Sequence, residues 1–155
     1  MKKLLMASAA ATGLATAGFA GGHEEIKLGI ILGFTGPIES LTPSMADAAE
    51  LAIAEVNASG LLLGGATVTP VRGDSTCGDS AAGQAAAERL VTADGVKGIM
   101  GADCSGVTGA ILQNVALPNG VVMISPSATS PWRASDGEVR KKSPSSSLFM
   151  WLRPG

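Results

Sequence analysis

Ile26-Lys27-Leu28-Gly29-Ile30-Ile31-Leu32 (IKLGIIL, residues 26–32) is the stretch on which the fold turns. A strand with one wet face alternates apolar and polar residues. This one is apolar almost throughout, as expected of a strand covered on both faces of a parallel sheet. Residues 33–41 read as a loop, and Thr42-Pro43 reads as an N-cap followed by proline at the first helical position. Met45, Ala48, Ala49, Ala52, Ile53 and Val56 then recur at helical spacing, with Asp47, Glu50 and Glu55 on the other faces. Gly60 closes that helix.

The alternation continues downstream. Thr67 to Val71 reads as a second strand, and Pro70 within it argues for an edge position, because proline cannot donate to the ladder. Asp79 or Ser80 caps a second helix running to about Ala93. Val96 to Met100 is a third strand. Ser105 is a candidate cap for a third helix carrying Val107, Ile111, Leu112 and Val115, and Pro118-Asn119-Gly120 turns the chain into a fourth strand, Val121 to Ile124. The order βαβαβαβ predicts an α/β fold: a parallel sheet with helices on both faces and right-handed crossovers.

The flanks read differently. Lys2 and Lys3, the small-residue apolar run from Leu4 to Ala17, and Gly18-Phe19-Ala20 have the form of a secretory signal peptide over residues 1–20, cut after Ala20 or alternatively after Ala17. The apolar run is too short for a membrane span. Export predicts a periplasmic, oxidising location, and the two cysteines, Cys77 and Cys104, are compatible with one disulfide or two free thiols. Residues 21–131 hold four basic and eleven acidic side chains, whereas residues 132–155 hold five basic and two acidic ones and both tryptophans. The tail follows no strand or helix period. It is expected to be disordered and foreign to the fold, as a change of reading frame would make it, with a basic arm for a partner as the alternative.

With 155 residues the chain has room for one domain. A body with an acidic excess and no tyrosine does not suit nucleic-acid binding, which needs a basic face and stacking aromatics. Two cysteines and one distant histidine cannot make a tetrahedral zinc site or a nucleophile–base pair, so no catalytic residue and no cofactor is expected. The glycine-rich string 98–109 lacks both GxGxxG and the GK[ST] ending of a phosphate loop. Asp74, Asp79 and Asp103 read as caps and loop carboxylates. One metal reading exists: a mature chain beginning Gly21-Gly22-His23 could offer four nitrogens to Cu(II) or Ni(II), the alternative being an exposed linker histidine.

In open parallel sheets ligands sit beyond the carboxyl ends of the strands. Three loops end there: 33–41, 101–105 and 125–129. Ser105 at a helix start offers a hydroxyl, an N–H and the positive end of the helix dipole. Thr129 offers a hydroxyl and an N–H, and the Ser127 carbonyl can accept.

Several segments resemble the leucine/isoleucine/valine-type binding proteins of ABC transporters, which have the type I periplasmic-binding-protein fold. They are the first strand running into Gly36-Pro37, Ala48 to Gly60 (AAELAIAEVNASG), Asp74 to Cys77 (DSTC), Val91 to Gly101 (VTADGVKGIMG), Cys104-Ser105, and Met123 to Thr129 (MISPSAT). The match covers about residues 26 to 131. It implies a partial N-terminal lobe over 21–131 and a substrate-binding protein, in truncated form, that delivers an amino acid or related small polar solute to a membrane permease. The alternatives are a sensing lobe of the same fold or a non-functional fragment. The resemblance assigns ligand contact to Ser105, Ser127, Ala128 and Thr129 and joins Cys77 to Cys104. It departs from the pattern at Leu41, where branched-chain binders often carry an aromatic. Relatives add a second lobe and then return to finish the first. Without these, apolar sheet is left uncovered at about 25 cal/mol per Å2, and a marginal fold is expected.

Overall fold

The structure, a computed structural model, describes residues 24–130. The signal segment, His23 and the tail lie outside the described residues. Strand β1 (Glu25–Leu32) is followed by helix α1 (Thr42–Ser59), a 3-10 turn (Leu62–Gly64), β2 (Thr67–Asp74), α2 (Ser80–Thr92), β3 (Gly98–Gly101), α3 (Ser105–Ile111) with a π-helical turn (Leu112–Ala116), and β4 (Val122–Ile124). All pairings are parallel and the strand order is β2-β1-β3-β4. Pro70 is on an edge strand, opposite Leu28, as its missing N–H requires.

The first strand shows why its sequence is apolar on both faces. Ile31 points into a core with Leu90, Ile99, Val107, Ile111, Leu112, Val115 and Met123, contributed by α2, α3 and the neighbouring strands. Ile30 and Leu32 point the other way, against Ala46 with Met45, Ala49 and Ile53 of α1. Glycine within the strands serves packing: a Cβ at Gly73 or Gly29 would lie 3.0 or 3.1 Å from Leu90 Cδ1, so Leu90 fits flat over β2 and β1. At the edge, Asn57 of α1 uses both ends of its amide on Val68, donating to its carbonyl and accepting from its N–H at 2.8 Å each. That satisfies backbone groups that an edge strand otherwise exposes.

Two helix starts differ from expectation. Leu41, not Thr42, is the cap residue of α1 and makes no side-chain cap bond. Thr42 is fully buried, and its hydroxyl donates to the Gly33 carbonyl at 3.0 Å and the Glu39 carbonyl at 3.5 Å. A buried hydroxyl must find a partner, and the loop after β1 supplies it, whereas the first-turn N–H groups can reach water. Cys104, not Ser105, is the cap residue of α3. Asp79 caps α2 as expected, accepting from Ala81 and Ala82.

The packing stripe of α1 also sits slightly round the helix. Thr42, Met45, Ala46, Ala49 and Ile53 face the sheet, while Ala48, Ala52 and Val56 are exposed. An alanine-rich helix offers several stripes of similar hydrophobicity, so the sheet selects among them. Beside α1, Ile26, Leu28, Leu62 and Val68 line an open apolar groove of about 350 Å3. Ile124 of β4 is 36 % exposed. One helix therefore covers only part of this face.

Candidate functional site

All four strands run the same way, so the loops 33–41, 75–79, 102–104 and 125–130 gather at one rim. Their polar groups hold them together. The Ser105 hydroxyl accepts from Thr129 N–H at 3.1 Å and from Ser130 N–H at 3.3 Å. The Ser127 hydroxyl donates to the Asp103 carbonyl at 2.9 Å. Ser125 builds the turn, accepting from Ala128 N–H at 2.8 Å and donating to the buried Ala102 carbonyl. Ser105, Ser127, Ala128 and Thr129 are thus brought together, although each lies in a loop or at a helix start where sequence alone admits an ordinary turn.

The hydrogen bonds define what remains available. A hydroxyl has one proton and two acceptor sites. Ser105 Oγ accepts twice, leaving its proton to donate. Among the described residues, the Ser105 N–H, the Thr129 hydroxyl and the Ser127 carbonyl have no protein partner. Among the described residues the arginines are spent elsewhere: Arg72 on Glu50 and Asp47, and Arg89 on Asp94. Lys27 and Lys97 belong to the opposite, amino ends of β1 and β3. Of the described residues, those at this rim offer an anion neutral donors, and an adjacent carbonyl is free for a cationic group. That combination fits a zwitterion better than a phosphate, whose sites favour arginine.

Cys77 and Cys104 form a disulfide with Cα atoms 5.3 Å apart, tying the loop before α2 to the cap residue of α3. Asp74 ends β2 and reaches across to the first loop. Its carboxyl accepts from the Thr35 hydroxyl at 2.5 Å, and from the N–H groups of Thr76 at 2.9 Å and Thr35 at 3.3 Å. Burial works against its charged form, but the Thr35 hydroxyl and these N–H groups outweigh it and hold the carboxyl below its ordinary range. On the α1 side, Arg72 lies 5.3 Å from the centre of the Phe34 ring and is engaged bidentately by Glu50.

Sequence reasoning missed the roles of two residues: Asp103 reads there only as a cap or loop carboxylate, and Ser75 is not singled out. Both are buried. Asp103 Oδ2 accepts from Gly33 N–H at 2.8 Å, and Oδ1 accepts from Ser75 Oγ at 3.2 Å and Cys104 N–H at 2.9 Å. The only signal available was a carboxylate between an apolar strand and a helix start, which is common in surface loops. Among the described residues no group of three or more possible metal ligands occurs.

Comparison with known proteins agrees with this architecture. A family model described as periplasmic binding protein matches residues 25–143. The Leu/Ile/Val-binding protein BraC3 of Rhizobium johnstonii is 33 % identical over 109 residues, covering 70 % of this chain and 29 % of that protein. The Leu/Ile/Val/Thr-binding protein of Salmonella typhimurium is 33 % identical over 129 residues, covering 83 % of this chain and 33 % of its own length. Among solved structures, the branched-chain amino acid transporter substrate-binding protein LivJ of Streptococcus pneumoniae, in complex with isoleucine, superimposes with a TM-score of 0.63 at 32 % identity, covering 69 % of this chain and 30 % of that one. The chain therefore spans about a third or less of the length of these relatives. With the parallel α/β sheet, the joined cysteines and a family match over most of its length, the chain belongs to the periplasmic binding protein family.

Proposed function

We propose that this chain supplies the first lobe of an exported, periplasmic substrate-binding component of an ABC importer, and that its rim takes an amino acid of the branched-chain class or a related small polar solute. Residues 1–20 are its export signal in this reading and residues 21–131 its lobe. The observation that carries the proposal is the bond from the Thr129 N–H to the Ser105 hydroxyl at 3.1 Å, which joins the turn after β4 to the start of α3 and so brings together the residues that carry the unpaired donors. The ligand carboxylate takes the N–H and O–H of Ser105 and the hydroxyl of Thr129. The ammonium donates to the carbonyl of Ser127, with Ala128 completing the turn. The side chain lies towards the first loop, where Leu41 stands 61 % exposed.

No bond is made or broken in this mechanism. A membrane permease is the partner that receives the solute. Its selectivity would follow from unpaired groups: a solute lacking the carboxylate or the ammonium leaves donors or an acceptor unmatched. One lobe leaves much of a small ligand in water, so binding by this lobe alone is weak. The test is a titration of the 15N-labelled chain with leucine, isoleucine, valine and threonine, read at backbone amides. Saturable shifts centred on 105 and 127–130, absent in Ser105→Ala, are expected. Shifts centred elsewhere, or none with any of these amino acids, would refute it.

A further inference from the structure

We infer that Asp103 is the positioning residue of this rim, the group that sets the mutual geometry of all the loops from which a ligand would be held. Its carboxyl takes the Gly33 N–H from the loop after β1, the Ser75 hydroxyl from the loop after β2, and the Cys104 N–H from its own loop. Its backbone carbonyl takes the Ser127 hydroxyl from the loop after β4. One residue thus touches the turn that follows every strand of the sheet. It is 5 % exposed, Ser75 is fully buried, and a polar group so enclosed keeps its geometry only while its partners are in place.

The contacts run directly to the groups assigned to the ligand. Cys104, whose N–H it accepts, is the cap residue before Ser105. Ser127, whose hydroxyl binds its carbonyl, carries the acceptor proposed for the ammonium. The Gly33 carbonyl in turn receives the buried Thr42 hydroxyl at the start of α1, so the same node fixes how α1 enters. Asp103 is 5 % exposed, and the hydrogen bonds of its side chain run to Gly33, Ser75 and Cys104. Its effect on binding is therefore exerted through Ser105 and Ser127. This inference rests on the reading of the rim as a ligand site for its consequence in binding, and on the hydrogen bonds alone for its consequence in loop order.

The experiment uses the full chain with Asp103→Asn, Asp103→Ala, Ser127→Ala and a control, Val96→Ala, which disturbs a buried side chain just before β3, at the far end of the sheet. Amide hydrogen exchange and leucine titration are measured on each. In Asp103→Ala, exchange is expected to quicken at 33, 104 and 127–130 by about tenfold relative to the strand cores. Asp103→Asn, which fills the same space but offers fewer acceptors, should loosen residue 33 or 104. Ser127→Ala should loosen 125–130 alone. Leucine binding is expected to weaken on the order of tenfold in both Asp103 variants, the range that supporting partners of binding groups cost elsewhere, and to be unchanged in Val96→Ala. Uniform quickening across the sheet, or equal weakening in Val96→Ala, would overturn the inference. If Asp103→Ala does not fold, Asp103→Asn and Ser127→Ala decide it. If the unaltered chain does not respond to leucine, the ligand reading falls, and localised exchange decides Asp103 by itself.

Discussion

Gly83 lies on the buried face of α2 where that helix crosses α3. A Cβ built there would press well inside contact distance of Val107 Cγ1, with the Ser75 carbonyl 3.5 Å and Ile111 Cδ1 3.7 Å away. Two effects of Gly83→Ala oppose each other. In an open helix the change would stabilise by about 1 kcal/mol, because glycine loses more backbone freedom on folding than alanine. Here the added methyl must push α3 outwards, and overpacking of this kind costs about 1–3 kcal/mol. The contact is with a branched side chain that is 1 % exposed and has nowhere to rotate, so the upper half of that range applies. The net expectation is a loss of about 1–2 kcal/mol, a fall in Tm of roughly 4–8 °C. Urea unfolding followed by circular dichroism measures it. Val107→Ala alone should cost about 2 kcal/mol for its lost methyl groups and the space they leave. The double variant should cost less than the sum by about 1–2 kcal/mol, since each change makes room for the other. A stabilising Gly83→Ala, or strict additivity, would mean that α2 and α3 do not meet at this point.

Two further outcomes bear on the rim. The disulfide joins residues separated by 27 positions, a loop length for which chain-entropy arguments give about 3.5 kcal/mol. Cys77→Ser with Cys104→Ser, or reductant, should lower the unfolding free energy by roughly that much, and a change below about 1 kcal/mol in urea titrations would show that the link does not constrain the unfolded chain. Asp74 is held below its ordinary value of 3.8 by Thr35 and nearby N–H groups despite its burial. A carboxyl with a depressed folded pKa contributes stability that is fully present above the unfolded value and is lost as pH falls through the folded one. Stability should therefore decline as pH is lowered below about 4, and Asp74→Asn should make that decline shallower. An unchanged acid limb in Asp74→Asn would refute the assignment.

The readable features were those that depend on local period and on one rule of topology. IKLGIIL declares a two-faced strand, Pro70 declares an edge, and Asp79 declares a helix start. Each follows from the chemistry of a single residue or a short run. Parallel strands then put the three loop ends on one rim, which places Ser105 and Thr129 at the same edge of the sheet; the direct bond between them, across 24 residues, is a finding of the structure. What could not be read was the choice among near-equal local options. The stripe of α1 shifted because alanine leaves the helix face ambiguous. Thr42 and Ser105 both had the chemistry of a cap, and neither uses it.

Those two corrections share a cause, and it bears on function. A hydroxyl at a helix start can satisfy an N–H of its own helix or reach a group brought in from a distant loop. Thr42 reaches the Gly33 carbonyl and Ser105 receives the Thr129 and Ser130 N–H groups. In each case the partner belongs to the rim, in the loop leading into α1 for Thr42 and in the turn after β4 for Ser105. A plain N-cap would have stiffened one helix end and left the loops independent. Used across the loops, the same hydroxyls couple α1, α3 and the turn after β4 into one surface. Ser105→Ala therefore separates two accounts of that residue. If it only supported α3, fraying would be confined to the first turn of α3. In the coupled rim, the 129–130 amides lose their acceptor, and their exchange should quicken even though they lie more than twenty residues away in sequence.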